Sequence, residues 1–171
     1  MVKGKWAEGI VPRNFHWVIK DRLAVCERPG GYGESHRRVR RTEEIIWIRE
    51  NGFDPVVSLI NAPSNLHNYS ELDVGAIHCP VPMPEPSTET LRRFFTLVGE
   101  NLHQGRRVLV HRQSVDDGLA GLLAGLLVWH GIVKVEHEAI TIVERLLERQ
   151  MGPTGRAIVS RSSRLIARAG D

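Results

Sequence analysis

The segment Val108–Gly121, VLVHRQSVDDGLAG, has the layout of an anion-binding site. An aliphatic run typical of a buried strand leads into a polar loop, which opens onto a helix rich in small residues. A helix N-terminus exposes unpaired amides and carries partial positive charge, so it favours a bound anion. Asp116 and Asp117 stand at this position, and their charge opposes a phosphate there. They also suit the helix end itself, where an acidic group contributes about 0.3–1 kcal/mol.

The other reactive side chains give weaker signals. Cys79 follows a histidine, but positions 80, 82 and 84 are prolines without amide hydrogens, so we expect a core thiol. No histidine or lysine in the local sequence is placed to deprotonate Ser114. The eight histidines include no HExxH motif, so the sequence supports neither a metal site nor a cofactor.

Hydrophobic periodicity predicts alternating strands and helices. We expect strands in a hairpin within Phe15–Val25 and at Phe53–Ile60, Ala76–Val81 and Arg107–His111. Turn-rich Asn61–Tyr69 separates the second and third of these. We expect helices at Ser35–Asn51, from a cap at Ser87 to Gly105, at Leu119–His130 and Glu136–Gln150, and after Pro153. This order predicts one α/β domain over residues 1–171, whose mostly parallel sheet of about four to five strands is flanked by helices.

Two of these helices have informative faces. Leu119–His130 is apolar on nearly every side, so it should be the most buried helix, and its glycines and alanines allow close approach of neighbouring backbone. The helix after Glu136 places one apolar face toward a core, formed by Ala139, Ile142, Val143, Leu146 and Leu147.

Bulk composition is that of a soluble globular protein. The 171 residues are 42% hydrophobic and 25% charged, and no apolar segment is long enough to span a bilayer. Two cysteines without CxxC spacing favour free thiols in a reducing compartment, so we expect a cytoplasmic protein. The net charge of +3 and two arginine clusters, at 36–41 and 156–168, favour solvated helix faces over nucleic-acid binding. With only four lysines, the arginine-heavy composition points to a GC-rich bacterial genome.

Several segments together resemble the cysteine-based dual-specificity and tyrosine phosphatases, over about Asn14–Pro153. They are NFHWV from 14, RPG from 28, VVSL from 56, PVP from 80, GRRVLVH from 105 and GLAG from 118. The resemblance implies a three-layer α/β sandwich. It also implies a loop, between a central strand and a central helix, that reads His-Cys, five residues, then Arg-Ser or Arg-Thr.

Each part of that loop has a chemical reason. A thiolate attacks phosphorus, and converging amides at a helix N-terminus lower its pKa. A glycine lets the loop curl around the phosphate, and the arginine binds two of its oxygens. An aspartate on a separate loop protonates the leaving oxygen.

This chain departs from that pattern at the residues that carry the chemistry. His111 is kept, but Arg112 stands at the nucleophile position, Val115 at the loop glycine, Gly118 at the phosphate-binding arginine and Leu119 at the hydroxyl residue. An arginine stays protonated at physiological pH and cannot attack phosphorus. The degenerate loop therefore comprises His111, Arg112, Gln113, Ser114, Val115, Asp116, Asp117 and Gly118.

The acid loop is altered as well. Met83 follows the Pro-Val-Pro segment where relatives have the aspartate, and Glu85 stands two residues further on. We interpret Glu85 as a solvated loop residue rather than a proton donor. We also hypothesise that Arg112 turns into the former phosphate pocket and pairs with Asp116 or Asp117.

These observations predict a pseudophosphatase that acts as a protein-binding or regulatory module. Its partner is expected to be a phosphorylated protein or an active phosphatase, and any phosphoryl recognition is relocated to Arg28, Arg37, Arg38, Arg40 or Arg41. The alternative is a divergent phosphoric-ester hydrolase that works without a cysteine. A third class, a homo-oligomeric structural protein, also stays open, because the sequence does not determine the oligomeric state.

Overall fold

The computed structural model describes residues 8–31 and 37–169, with side chains through Ile166. Five strands and six helices occur in the described part of the chain. The strands are β1 (His16–Ile19), β2 (Leu23–Glu27), β3 (Val56–Ser58), β4 (Ala76–His78) and β5 (Val108–Arg112). The helices are α1 (Arg38–Glu50), α2 (His67–Glu71), α3 (Thr88–His103), α4 (Asp117–Trp129), α5 (Glu136–Leu146) and α6 (Pro153–Ala169).

The chain divides into two compact units. The sheet unit comprises residues 1–80 and 101–115, and the helical unit comprises residues 81–100 and 116–171. The sheet unit contains all five described strands, in the order β1-β2-β5-β3-β4. β1 is antiparallel to β2, and the other neighbouring strands are parallel. The expected hairpin and the mostly parallel sheet are therefore confirmed.

β5 occupies the centre of the sheet because its side chains can be buried on both faces. Val108, Leu109 and Val110 are fully buried, as expected for a parallel strand covered on both sides. β5 pairs with β2 and β3, and the pairing places Cys26 and Ser58 beside His111. The carboxyl ends of three parallel strands therefore meet where the predicted loop begins.

Helix α1 and several aromatic side chains form one hydrophobic core of the sheet unit. Ile45 and Ile48 of α1 are fully buried, and they belong to the same cluster as Phe53 and Leu109. The partly buried rings of Phe15, Trp17 and Trp47 pack against that cluster. The centroid of each of these rings lies 5.1–6.1 Å from the centroid of a neighbouring ring. Burial on this scale stabilises the fold by about 1.5–3 kcal/mol for each large apolar side chain.

Close packing of α4 in the helical unit confirms the expectation from its small residues. Every residue of α4 from Gly118 to Val128 is buried. A Cβ added at Gly121 would lie 2.6 Å from Gly155 Cα, and one added at Gly125 would lie 2.5 Å from Ser162 Oγ. Side chains larger than hydrogen at these two positions would force α4 and α6 apart.

The remaining helices agree in part with the sequence expectations. Ser87 caps α3 as predicted, because its Oγ accepts a hydrogen bond from the Thr90 amide at 3.1 Å. α1 begins at Arg38, and the expected cap Ser35 lies outside the described residues. The turn-rich segment after β3 contains the short helix α2, which the local turn pattern does not predict.

The buried face of α5 differs from the expected one. Ala139, Ile140 and Val143 are buried, whereas Ile142 is 39% exposed. The expected face was wrong at Ile142 because the buried arc is centred between Ala139 and Ile140, and at 100° per residue Ile142 is rotated beyond its edge. α5 also ends at Leu146 rather than Gln150, before the positive φ of 52° at Glu148.

Both cysteines are buried and form no disulfide. Cys79 is 2% exposed, and its amide donates to the Ser58 carbonyl at 2.9 Å, which confirms the expected core position at the end of β4. Burial, with a smaller contribution from Glu44, raises the pKa of the Cys26 thiol well above its usual value. Across the described residues, no helix has the combination of length and hydropathy that a bilayer crossing requires.

Candidate functional site

The predicted loop lies directly between β5 and α4 in the chain. β5 runs through His111 and ends at Arg112, and α4 begins at Asp117. His111 is 2% exposed, Arg112 and Ser114 are half-buried, and Gln113 is exposed. Gly118 and Leu119 are buried in the first turn of α4. The element boundaries therefore agree with the strand-loop-helix order that the sequence predicted.

His111 is held as a neutral ring inside the sheet unit. It stacks on Tyr69 of α2, with the ring centroids 6.3 Å apart. Burial lowers the pKa of His111 to about 4, and the positive charge of Arg28 acts in the same direction. The ring is therefore uncharged near neutral pH, and its packing against Tyr69 fixes the end of β5.

Two predicted arginines line one pocket of about 250 Å³ at the carboxyl end of the sheet. Arg28 follows β2, and Arg112 ends β5. Gln113 lines the same pocket, and its Oε1 lies 3.5 Å from Arg28 Nη1. The segment after β3 supplies the remaining walls, namely Leu59, Ile60, Asn61, Ala62 and Ser64. Ligands of open α/β sheets commonly bind at the carboxyl ends of the strands.

The other four candidate arginines lie away from this pocket's lining. Arg37 and Arg38 are exposed, and Arg41 is 7% exposed. Burial, together with the charges of Arg28 and Arg38, lowers the pKa of the Arg41 guanidinium. Arg40 Nε pairs with Glu44 Oε1 at 2.9 Å. The structure therefore brings only Arg28, among the five predicted anion contacts, into the pocket that Arg112 lines.

Glu44 fixes the turn that carries Arg28. Its side chain is almost fully buried, and its Oε2 accepts a hydrogen bond from the Gly30 amide at 2.6 Å. Gly30 has a positive φ of 85°, and a Cβ there would lie 2.7 Å from the Cβ of Arg41. Glycine is required at this position, because a side chain would be both strained and obstructed.

The two loop aspartates bind backbone amides of the helical unit. Asp116 is the N-cap of α4, and its Oδ1 accepts a hydrogen bond from the Leu119 amide at 2.9 Å. Asp117 Oδ1 accepts from the Gly152 amide at 2.6 Å, and its Oδ2 accepts from the Gly155 amide at 2.8 Å. Asp116 thus caps α4, as the sequence suggested, whereas the hydrogen bonds of Asp117 go to backbone amides at the start of α6. Pairing of Arg112 with either aspartate stays a prediction.

The loop at which the sequence placed the candidate acid residues lies within the helical unit. Met83 is half-buried and Glu85 is exposed. Arg161 Nη1 donates to the Pro86 carbonyl at 2.7 Å, which ties this loop to α6. Glu85 lines a shallow pocket with residues of α6 that include Thr154 and Arg161. Its exposure fits a solvated glutamate.

Sequence reasoning did not single out Tyr69 or the segment Leu59–Ser64. Leu59, Ile60, Asn61, Ala62 and Ser64 line the pocket because β3 lies beside β5 in the sheet, although some 50 residues separate the two strands in the chain. Tyr69 contributes by its stacking on His111. The sequence did contain a signal for the pocket walls, because the turn-rich segment directly follows a buried strand, and ligand-binding loops of α/β proteins are found at such positions.

Replacing Asp117 should destabilise the fold more than replacing Asp116. Asp117→Ala leaves two amides without their charged acceptor, so we expect the free energy of unfolding to fall by about 3 kcal/mol. Asp116→Ala removes one capping hydrogen bond, and we expect a loss of about 1 kcal/mol. Urea unfolding of the two variants and the wild type gives the comparison. Equal losses would contradict the distinct role of Asp117.

The buried His111 predicts a specific dependence of stability on pH. Its pKa is about 4 in the folded chain and about 6.5 when exposed, so unfolding takes up a proton between these values. Stability should therefore fall as the pH drops from 7 toward 4, with about 2 kcal/mol of that loss by pH 5 due to this ring. In His111→Leu the loss between pH 7 and pH 5, measured by urea unfolding, should be smaller by this amount. An unchanged loss would show that His111 is accessible to protons in the folded state.

The comparisons with known proteins find relatives by structure alone. No family model matches the sequence, and no curated protein matches it. Among solved structures, Tk-PTP in its active form has a TM-score of 0.71 and 18% identity, covering 88% of this chain and 97% of that chain. Kinase associated phosphatase (KAP), with its catalytic-site cysteine replaced by serine, has a TM-score of 0.77 and 15% identity, covering 92% of this chain and 97% of that chain.

A third solved structure extends the same group. PTPMT1, in complex with PI(5)P, has a TM-score of 0.67 and 14% identity, and the match covers 91% of this chain and 98% of that chain. Identities this low establish the fold, and each of these matches extends over nearly the whole of the solved chain. The chain therefore has the fold of the dual-specificity and protein tyrosine phosphatases, as its resemblance to that family implied.

Proposed function

We propose that this chain is a catalytically inactive protein with the phosphatase fold, which acts as a binding or regulatory module for a protein partner. The observation that carries the proposal is Arg112, which ends β5 at the position that the phosphatase pattern gives to the nucleophilic cysteine. A guanidinium has no lone pair available for attack on phosphorus at physiological pH. The first step of the family's reaction, attack on phosphorus by the side chain at this position, therefore cannot occur in this chain.

The rest of the loop supports the same conclusion. Gly118 stands at the phosphate-binding arginine, so the bidentate contact to the phosphoryl oxygens is missing from that position. Asp116 accepts the Leu119 amide, so a carboxylate already caps the helix end that would hold the anion. Loss of a single residue could leave residual activity, whereas the combined changes remove nucleophile, anion seat and proton donor together.

The retained parts of the fold support a binding role. The end of β5 is fixed by the buried His111 against Tyr69, and the turn after β2 is fixed by Glu44. Rigid elements that present charged side chains at a pocket are the usual basis of recognition. A phosphorylated protein or an active phosphatase is the proposed partner, and the proposed location is the cytoplasm, in keeping with two buried cysteines that form no disulfide.

A second candidate is a divergent phosphoric-ester hydrolase, because the solved neighbours are named as phosphatases. Such an activity requires another nucleophile, and Ser114 or a water molecule is the available choice. Ser114 lies in the loop itself and is half-buried. The two candidates differ in whether the unmodified chain hydrolyses a simple ester.

A phosphatase assay on the wild type and on a repaired loop tests the proposal. We expect no hydrolysis of para-nitrophenyl phosphate by the wild type above the protein-free rate. The combined variant Arg112→Cys, Val115→Gly and Gly118→Arg restores the thiolate, the curl of the loop and the arginine, so it should bind vanadate and turn over slowly. The variant without Arg112→Cys is the matched control, and it should remain inactive.

Turnover by the wild type that disappears in Ser114→Ala or Glu85→Gln would overturn the proposal and favour the hydrolase. Circular dichroism of each variant shows whether the fold is retained. If the repaired variant is folded yet does not bind vanadate, the loop backbone itself differs from that of the active phosphatases.

A further inference from the structure

We infer that the exposed face of α5, formed by Val135, Glu138, Ile142 and Arg145, binds the same face of a second copy of this chain. In this dimer the two α5 helices pack in antiparallel orientation about a two-fold axis beside Ile142. The proposed function neither requires nor excludes such a dimer, so the two can fail independently. All four residues belong to the helical unit.

Helical geometry places these four side chains on one side of α5. At 100° per residue they lie within about 80° of one another around the helix axis. All four residues are exposed. By contrast, Ala139, Ile140 and Val143 of the same helix are buried. α5 therefore presents an outward face that is separate from the face that packs into the core.

Apolar side chains are concentrated at this part of the surface. Ile142 is 39% exposed, Val135 is 40% exposed, and Ile132, in the turn before α5, is 54% exposed. They are three of the seven large hydrophobic side chains that are exposed in the described part of the chain, and all three lie within residues 132–142. Single exposed aliphatic side chains are common on protein surfaces, whereas a group of them marks a surface that binds another apolar surface.

Glu138 and Arg145 flank Ile142 with opposite charges. Both side chains are exposed, and neither forms an ion pair with another residue that the structure describes. Seven residues of helix separate them by about 10 Å along the axis, so they cannot pair with each other within one chain. Their charges are therefore available to a partner.

An antiparallel pair of α5 helices brings these charges together. In an isologous interface, residue i of one copy contacts residue j of the other, and residue j contacts residue i. A two-fold axis between Thr141 and Ile142 places Glu138 opposite Arg145 of the partner subunit, and the symmetric pair forms on the other side of the axis. The two Ile142 side chains then meet between the two ion pairs. The face thus has an apolar centre and a charged rim, as specific interfaces have.

Charge and shape both favour the antiparallel arrangement. A parallel pair places like charges opposite each other at Glu138 and again at Arg145. The antiparallel pair instead brings Val135 opposite Glu148 of the partner subunit. A shallow depression of about 330 Å³ lies there, lined by Thr141, Glu144, Arg145, Glu148, Arg149 and Gln150. The exposed aliphatic side chain at one end of α5 therefore meets a depression at the other end.

One helix from each chain makes a small interface. α5 has 11 residues and is about 16 Å long. Interfaces that bury less than about 1,200 Å² in total belong to weak, reversible complexes. We therefore expect a dissociation constant on the order of 10⁻⁶–10⁻³ M.

Exchange of the two charges in the full chain, followed by sedimentation equilibrium up to about 1 mM protein, tests the inference. Glu138→Lys brings like charges together at both symmetric positions, so the dissociation constant should rise by about tenfold or more. Arg145→Glu should have the same effect for the same reason. The double variant restores both attractive pairs, so its dissociation constant should return to within about threefold of the wild-type value.

A mixture of the two single variants gives the most specific readout. Between a Glu138→Lys chain and an Arg145→Glu chain, both facing pairs are attractive. Heterodimers should therefore form more tightly than the homodimers of either variant, as measured by native mass spectrometry of the mixture. A merely structural role of the two residues in the folded chain produces no such preference.

Glu89→Lys is the matched control. Glu89 is an exposed acid in the first turn of α3, as Glu138 is in the first turn of α5, so its exchange makes the same change of charge elsewhere in the helical unit. This variant should leave the dissociation constant within about twofold of the wild-type value.

Ile142→Cys provides a second measurement that changes neither charge. Both native cysteines are buried, so mild oxidation should join two chains at position 142 if this residue lies beside the axis. A chain that stays monomeric at every concentration would overturn the inference. A dimer that neither single exchange weakens, a folded double variant that does not recover association, or a dimer that Ile142→Cys does not cross-link would also overturn it. Circular dichroism shows whether each variant is folded.

Discussion

A guanidinium at the end of the central strand keeps its proton at every physiological pH, and the account of this protein depends on that charge. β5 is buried along Val108–Val110 and paired on both sides, so the position of Arg112 is fixed by the sheet rather than by a mobile loop. A thiolate at this point would be stabilised by the amides of the following helix, whereas a cation is not. The same fold therefore presents the opposite charge where the phosphatases carry their nucleophile.

Asp116 and Asp117, which follow Arg112 in the loop, are consistent with the absence of a bound phosphate at the helix end. The resemblance to the phosphatases implies a first helical turn that is open for the substrate's oxygens. Here Asp116 caps that turn, and Asp117 binds the Gly152 and Gly155 amides. The negative charge that a phosphate would bring to the helix end is supplied by the chain itself.

Local sequence patterns predicted those secondary-structure elements that are determined by residues close together in the chain. The aliphatic run before His111, the glycine-rich helix after it and the cap at Ser87 each depend on residues close in sequence, and each is found in the structure. The contacts of Asp117 could not be predicted, because its partners lie 35 and 38 residues away, at the start of α6. The pocket walls at Leu59–Ser64 depend on strand order, which no local pattern specifies. The exposed Ile142 could not be predicted either, because an apolar stripe on a helix does not determine which of its residues contact the core.

Covalent trapping tests the central claim most directly. The chain is mixed with an excess of a phosphorus-32-labelled aryl phosphate, quenched with acid on the millisecond-to-second scale and analysed for labelled peptide. We predict no phosphoryl adduct on residues 111–119 in the wild type, and a transient S-phosphocysteine at position 112 in the repaired variant that carries Arg112→Cys. A labelled residue in that segment of the wild type would contradict the claim that the chain has no nucleophile at its former catalytic loop.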